Sequence, residues 1–159
     1  MSELLARDVM SSEVVAVSPK ASIIEAAKLM LQNRISGLPV IDEQGHLVGV
    51  VSEGDLLQRV EIGTQIEDSS SFLTSEVARH FLKSYGRFVE DVMTTKVASV
   101  LANTPLVEIA RLMELMRLKR VPVIELGKLI GIVSRADLLR TLVHEVEPQG
   151  SAGAQTKVA

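Results

Sequence analysis

Gly49-Val50-Val51-Ser52-Glu53-Gly54-Asp55 is the stretch that decides the fold, because its pattern returns as Gly131-Ile132-Val133-Ser134-Arg135-Ala136-Asp137. In each copy an apolar run ends in a serine, and an aspartate follows three positions later. A serine at the N-cap with an acidic residue at the third helical position is typical of a helix start. The pattern therefore predicts, twice, a buried strand that leads directly into a helix.

Two further stretches repeat when the comparison is extended outward. Asp8-Val9-Met10 returns as Asp91-Val92-Met93, and Leu38-Pro39-Val40-Ile41 returns as Val121-Pro122-Val123-Ile124, each after 83 positions. Gly49 and Gly131 are 82 positions apart, so one residue is deleted in the intervening hairpin turn, where a change of length is tolerated. The chain therefore contains one unit twice.

Each unit predicts the element order β-α-β-β-α. A β-rich run at residues 14–17 precedes a helix that begins at Ser22 with a capping box to Glu25. In the second copy Thr104-Pro105 predicts a hydroxyl cap followed by proline at the first helical position. A hairpin and a second helix follow in both copies. A unit of about fifty residues buries too little surface to be stable alone, so a mixed α/β (α+β) fold with two halves packed about a pseudo-twofold axis is expected.

The predicted boundaries are residues 1–60 for the first unit, 61–90 for a linker and 91–145 for the second unit. Leu73, Val77, Phe81 and Tyr85 are spaced as on a helix, which predicts a linker helix at about residues 72–85. Residues 146–159 are rich in Gly, Ala, Ser and Gln and predict a disordered tail.

Composition argues against several classes of function. The net charge is −3 and the basic residues are scattered, so nucleic acid is not an expected partner. The absence of cysteine excludes disulfides and thiolate chemistry, and with no apolar run of membrane-spanning length it favours a cytoplasmic protein. The three histidines lack the spacing of a zinc site, and no nucleophile elbow or Walker loop is present. We therefore expect neither an enzyme nor a bound metal.

The two serine–aspartate pairs have two interpretations. Each pair can simply cap a helix, since it satisfies free N–H groups at the positive end of the helix dipole. The same geometry suits a nucleotide: Ser52 and Ser134 would face phosphate, and Asp55 and Asp137 would bind the ribose hydroxyls.

The complete pattern resembles a pair of cystathionine-β-synthase (CBS) domains. Two copies of D-V-M, a helix, a Pro-Val hairpin and G-h-V-S-x-x-D-L-L cover about residues 8–60 and 91–142. The stretch Lys83 to Arg87 leading into Asp91-Val92-Met93 is similar to bacterial CBS pairs that are often followed by a small BON domain.

This resemblance implies a non-catalytic sensor that needs no cofactor and binds AMP, ADP, ATP, S-adenosylmethionine or occasionally NAD between the two motifs. It also implies a disc-like homodimer. The adenine would be bound by eight positions, four in each copy: Ser12, Val14, Leu38 and Pro39 in one site, and Thr95, Val97, Val121 and Pro122 in the other.

Positive charge is distributed unequally between the copies. Lys119-Arg120 replaces Ser36-Gly37, and Arg135 replaces Glu53. Cations near the cleft favour a phosphorylated ligand, so we expect two unequal sites, with the half that carries Glu53 the weaker candidate for a triphosphate. The alternative to the sensor is a structural dimerisation module in which both serine–aspartate pairs are helix caps alone.

Overall fold

The first repeat forms two helices and a hairpin. A computed structural model describes residues 3–56 and 88–146, so the predicted linker helix and the predicted disordered tail lie outside the described residues. Helix α1 spans Ala6–Val9 and helix α2 spans Ile23–Asn33. Strands β1 (Gly37–Ile41) and β2 (Leu47–Ser52) pair antiparallel, and the chain is helical again at residues 53–56.

The second repeat has the same order of elements with one additional strand, β3 (Val100–Leu101). A 3-10 turn at Val89–Asp91 precedes strand β3, helix α3 (Leu106–Met116), strands β4 (Arg120–Glu125) and β5 (Lys128–Ser134), and helix α4 (Arg135–Val146). Strand β4 is central in the sheet order β3-β4-β5, parallel to β3 and antiparallel to β5. This mixed α+β architecture confirms the predicted fold class.

The helix starts agree with the sequence in one copy and differ in the other. At α2 the Ser22 hydroxyl accepts the Glu25 N–H at 3.1 Å, and the Glu25 carboxylate accepts the Ser22 N–H at 3.3 Å, which confirms the capping box. At α3 the hydroxyl cap predicted at Thr104 was wrong: Pro105 is the N-cap. The Thr104 hydroxyl instead accepts the Leu101 N–H at 3.0 Å and closes the preceding turn.

The proline of each Pro-Val stretch ends the parallel pairing. Val17 donates its N–H to the Pro39 carbonyl and accepts the Ile41 N–H, both at 3.0 Å. The next rung toward the N-terminus would need an N–H from Pro39, which has none. The run predicted as a strand at residues 14–17 is therefore reduced to a single bridge at Val17. Pro122 occupies the same position beside β3, so the residues just before β3 also leave the sheet.

The two repeats exchange their N-terminal segments. Ala6 is fully buried in the core of the second repeat, and its N–H is donated to the Thr104 carbonyl at 2.9 Å. Val89 is fully buried in the core of the first repeat, and its N–H is donated to the Ala21 carbonyl at 2.9 Å. Each hydrophobic core is thus completed by a segment that belongs to the other sequence repeat.

Each exchanged segment ends as an extra rung on the other repeat's hairpin. Thr94 and Val50 exchange two backbone hydrogen bonds of 2.8 and 2.9 Å, and Ser11 and Ile132 exchange two of 2.9 and 3.0 Å. A glycine in each hairpin leaves room for this approach. A Cβ on Gly49 would lie 2.8 Å from the Met93 sulfur and 3.0 Å from the Thr94 carbonyl oxygen.

Candidate functional site

Both serine–aspartate pairs form the predicted helix caps. The Asp55 carboxylate accepts the Ser52 N–H at 2.8 Å, and the Ser52 hydroxyl accepts the Asp55 N–H at 3.2 Å. Ser134 and Asp137 make the same two bonds at 2.8 and 3.2 Å. The capping interpretation therefore describes real contacts, and a ligand site needs additional features.

The first pair opens onto a cavity of about 560 Å³ between the repeats. Its first wall carries Ser52 and Asp55 at the helix start and the beginning of β1. Its second wall carries the segment before β3 and the turn between α3 and β4. The lining residues are Ser36, Gly37, Leu38, Pro39, Val50, Ser52, Glu53, Gly54, Asp55, Thr94, Lys96, Val97, Ala98, Arg117, Leu118, Lys119, Arg120, Pro122 and Ile132.

Eight of the fifteen predicted site residues meet in this cavity: Ser52, Asp55, Lys119, Arg120, Leu38, Pro39, Val97 and Pro122. The other predicted positions lie elsewhere. Val121 is fully buried in the core of the second repeat, Ser12 and Thr95 are exposed, and Val14 is half-buried. Ser134, Arg135 and Asp137 form the start of α4, which does not line the cavity.

The cavity combines parts that the sequence had assigned to different sites. Val97 lies with Leu38, Pro39 and Asp55, whereas the repeat pattern grouped it with Val121 and Pro122. The exchange of segments explains the difference, because the chain that follows Thr94 runs along the first repeat. The parallel pairing beside β4 stops at Pro122, which leaves this chain free to line the cavity.

Sequence reasoning did not select several lining residues, among them Thr94, Lys96, Ala98 and Arg117. Thr94 lies one position before the predicted Thr95. Arg117 follows the last helical residue of α3 and has a positive φ of 53°. A non-glycine residue in this left-handed region is uncommon, but φ is not visible in a sequence. Lys96 was detectable only with the knowledge that segments are exchanged.

Positive charge exceeds negative charge around the cavity. Among the described residues, four cationic ones line it, Lys96, Arg117, Lys119 and Arg120, against two carboxylates, Glu53 and Asp55. The expectation that the half with Glu53 is the weaker phosphate site stays a prediction, although it had assigned Lys119 and Arg120 to the other site. Lys119 and Arg120 share a cavity with Glu53, because the start of β4 crosses over to the first repeat.

Arg120, one of these four cations, links the two repeats by hydrogen bonds. Its guanidinium donates to the Ser36 hydroxyl at 2.9 Å and to the Gly37 carbonyl at 3.5 Å. Partial burial lowers the pKa of Arg120 below its usual value, and the neighbouring Glu53 carboxylate opposes that shift. An arginine pKa is so high that the side chain remains charged at neutral pH, so Arg120 is available to an anion.

The second serine–aspartate pair has different surroundings. Asp137 also accepts a hydrogen bond of 2.8 Å from Arg140. Arg135, predicted to bind phosphate, donates from Nε to the Leu118 carbonyl at 3.0 Å and lines an apolar groove beside Leu4 and Leu138. The two pairs are therefore equivalent in sequence and unequal in structure.

Comparison with known proteins identifies the family. The CBS domain model matches twice, at residues 6–62 and 89–144, which coincide with the two repeats. The chain belongs to the CBS-domain family. It is a tandem CBS pair, and the additional resemblance to pairs that precede a BON domain stays a prediction.

Relatives of this CBS pair occur in plants, archaea and bacteria. It is 34% identical over 138 residues to the chloroplastic CBS domain-containing protein CBSX2 of Arabidopsis thaliana, covering 80% of this chain and 58% of that protein. It is 31% identical over 157 residues to the uncharacterized protein MJ1426 of Methanocaldococcus jannaschii, covering 88% and 92%. YhcV of Bacillus subtilis is 29% identical over 153 residues, covering 96% and 94%. The chain thus spans little more than half of the plant relative.

Solved structures share the fold. CBSX2 in complex with AMP is 32% identical with a TM-score of 0.73, covering 90% of this chain and 98% of that one. The CBS domain pair of MJ0100, in complex with 5′-methylthioadenosine and S-adenosyl-L-methionine, is 25% identical with a TM-score of 0.66, covering 91% and 99%. Both of those CBS pairs hold ligands that contain adenosine.

Residues 3–56 and 88–146 contain neither a membrane-spanning helix nor a cluster of metal-binding side chains. No helix there is long and apolar enough to cross a membrane. No group of three or more His, Asp or Glu side chains in the same ranges is arranged to hold a metal ion.

Proposed function

We propose that this CBS pair is a non-catalytic regulatory module that binds a phosphorylated adenosine in the cavity of Ser52 and Asp55. The observation that supports this proposal most strongly is that one cavity brings together a helix start, apolar walls, a cationic cluster and the Asp55 carboxylate, whose Oδ1 accepts no hydrogen bond from the described residues. The 560 Å³ volume lies in the range of small-molecule sites. The AMP bound to CBSX2 and the adenosine ligands bound to MJ0100 support the same ligand class.

Each part of the ligand has a matching part of the cavity. The Asp55 carboxylate would accept the ribose hydroxyls, since only one of its oxygens is used by the Ser52 N–H. Leu38, Pro39 and Val97 would pack on the adenine ring. Neighbouring backbone N–H and C=O groups would form hydrogen bonds with the polar atoms of the adenine. Phosphates would lie toward the helix start and the cluster of Lys96, Arg117, Lys119 and Arg120.

The excess of positive charge selects among adenosine ligands. AMP, ADP and ATP carry anionic phosphates that gain from the four cations. S-adenosylmethionine carries a sulfonium cation in place of phosphate and would be repelled by them. We therefore expect the nucleotides to bind more tightly than S-adenosylmethionine, with NAD between them because its positively charged nicotinamide ring offsets part of the charge of its two phosphates.

Calorimetric titration of the purified chain with AMP, ATP, S-adenosylmethionine and NAD tests this function. The unchanged chain is expected to bind AMP or ATP, and Asp55→Ala is expected to weaken binding at least about tenfold, because charge-assisted hydrogen bonds to the ribose are lost. Asp137→Ala is the matched control: it removes the equivalent cap and should leave this binding intact. No binding of any of the four ligands by the folded chain would refute the proposal.

The alternative function is a structural dimerisation module. It is favoured by the hydrogen bonds of both caps, which are complete without ligand. Under that function Asp55→Ala and Asp137→Ala would each lower the free energy of unfolding by a capping-sized amount, about 0.5–2 kcal/mol, and neither would change a ligand affinity. The titration above separates the two functions.

A homodimer is part of either function. Helices α3 and α4 present a groove of about 630 Å³ with a mainly apolar lining. Val107, Leu139 and Leu142 on its walls are 63%, 62% and 59% exposed. Contiguous apolar surface of this kind marks an interaction site more often than a free surface. We propose that a second copy covers it.

The expected cytoplasmic location stays a prediction, since CBSX2 is chloroplastic by name.

A further inference from the structure

Both oxygens of the Asp137 carboxylate accept hydrogen bonds from neighbouring residues at the start of α4. Its Oδ2 accepts the Ser134 N–H at 2.8 Å and the Ser134 hydroxyl at 3.0 Å. Its Oδ1 accepts the Arg140 guanidinium at 2.8 Å, in an ion pair that leaves the Asp137 side chain 14% exposed. A ribose that approached Asp137 would have to displace Arg140 first.

The first repeat has no arginine at the position equivalent to Arg140. The Asp55 Oδ2 accepts the Ser52 N–H, and no donor from residues 3–56 or 88–146 reaches its Oδ1. By the 82-residue offset between the serine–aspartate stretches, the first repeat has Gln58 where the second has Arg140. Glutamine has no charge with which to form an ion pair.

The cations of the first cavity also have no full set of counterparts. The repeat offset of 83 places Glu13 opposite Lys96, Ser36 opposite Lys119, and Gly37 opposite Arg120. The position of the second serine–aspartate pair is thus short of the charges that would attract phosphate. This second observation is independent of the Arg140 contact and points to the same inequality.

We propose that Arg140 is an affinity-determining residue that occupies the ribose carboxylate of the second repeat and, together with the missing cations there, leaves Asp55 as the nucleotide site of the chain. This inference rests on the proposed function, because it assigns which half performs it. The Arg140 guanidinium donates to the Asp137 oxygen that a ribose hydroxyl would otherwise donate to. It stabilises α4 without a nucleotide and leaves the first repeat alone to report nucleotide concentration.

The test isolates the second half in an Asp55→Ala background and uses adenosine as the probe. Adenosine has no phosphate, so removal of a positive charge changes its affinity only through the ribose carboxylate. Asp55→Ala/Arg140→Gln places the residue type of the first repeat in the second. Asp55→Ala/Arg111→Gln is the matched control, since Arg111 is an exposed arginine of α3 with no partner among the described residues.

Arg140→Gln is expected to tighten adenosine binding by about two- to fivefold, the range that release of an exposed ion pair supplies, and Arg111→Gln is expected to leave it unchanged. The unchanged chain should bind one AMP per chain by calorimetry. Equal adenosine affinities in Asp55→Ala and Asp55→Ala/Arg140→Gln would overturn the inference alone. So would a second AMP per chain that Asp137→Ala removes. Absence of AMP binding by the unchanged chain would instead refute the proposed function, and this inference with it.

Discussion

At the scale of single residues, Gly49 and Gly131 allow the backbones of the two repeats to approach each other closely. A side chain at either position would meet the methionine and the backbone carbonyl of the exchanged segment from the other repeat. Met93 and Met10 can move because their side chains are flexible, but the carbonyl oxygens of Thr94 and Ser11 belong to paired backbone. The glycine in each strand is therefore required by backbone approach.

We predict that Gly49→Ala lowers the free energy of unfolding by about 1–3 kcal/mol, the usual cost of overpacking a filled site. Urea denaturation followed by circular dichroism measures it. Gly54→Ala is the matched control, since a Cβ there would lie 3.6 Å from the Ser52 hydroxyl, an ordinary contact, and alanine favours the helix. Equal stability of Gly49→Ala and the unchanged chain would show that the exchanged segment is not held closely against β2.

At the scale of elements, the first hairpin depends on its turn. The Asp42 carboxylate accepts the Gln44 N–H at 3.0 Å and the His46 N–H at 2.9 Å. The hairpin tips of the two repeats also pair, since Leu47 donates to the Gly127 carbonyl at 3.1 Å and Leu129 donates to the Gly45 carbonyl at 3.0 Å. One turn therefore supports both hairpins.

The backbone hydrogen bond from His46, with a smaller one from Gln44, lowers the pKa of Asp42 below its usual value. A carboxylate whose pKa is depressed in the folded state stabilises that state above its unfolded pKa, near 3.9. This contribution is lost as the pH falls through the folded value. Asp42→Asn is thus expected to flatten the fall in stability below about pH 4. Urea denaturation across that range measures the slope.

Glu43→Gln serves as the control for this pH series, because the Glu43 side chain is exposed and makes no hydrogen bond with the described residues. The same acid-range slope in Asp42→Asn and the unchanged chain would contradict the role given to the turn.

The elements also show how far the sequence determined the result. The capping box at Ser22, both hairpins and both serine–aspartate caps follow from local rules, and all are present. The position of Lys96 beside Asp55 does not, because it depends on which repeat the D-V-M segments join. A repeated sequence shows that two segments are equivalent. It does not show whether each segment packs on its own repeat or on the other one. The charge around the cavity was misassigned for that reason.

At the scale of the whole molecule, the apolar surface of α3 and α4 decides whether the chain acts alone. Ile109 is fully buried against the core of the second repeat, while Val107, two positions earlier, is mostly exposed. Helix α3 thus has one apolar face inside the chain and further apolar residues outside it. A second copy covering the outer face would bring two nucleotide cavities into one assembly.

We predict that Leu139→Glu converts a dimer into a monomer, because a charged side chain would have to be desolvated in a mainly apolar interface. Sedimentation equilibrium gives the mass of the assembly. Leu126→Glu is the matched control: Leu126 is 93% exposed at the tip of the second hairpin, away from α3 and α4, and its substitution should leave the mass unchanged. A Leu139→Glu protein with the mass of the unchanged dimer would exclude this groove as the interface.

The exchange of N-terminal segments also determines the order in which contacts can form during translation. Residues 4–11 leave the ribosome before the second repeat, yet their backbone partners lie between residues 102 and 132. The opening segment must therefore wait, unpaired, until most of the second repeat has been translated. The core of the first repeat can be completed earlier in translation, since Val89, Val92 and Met93 are the residues of the other repeat that pack in it among the described ones. Residues of the second repeat, which are translated later, thus fix the position of residues 4–11.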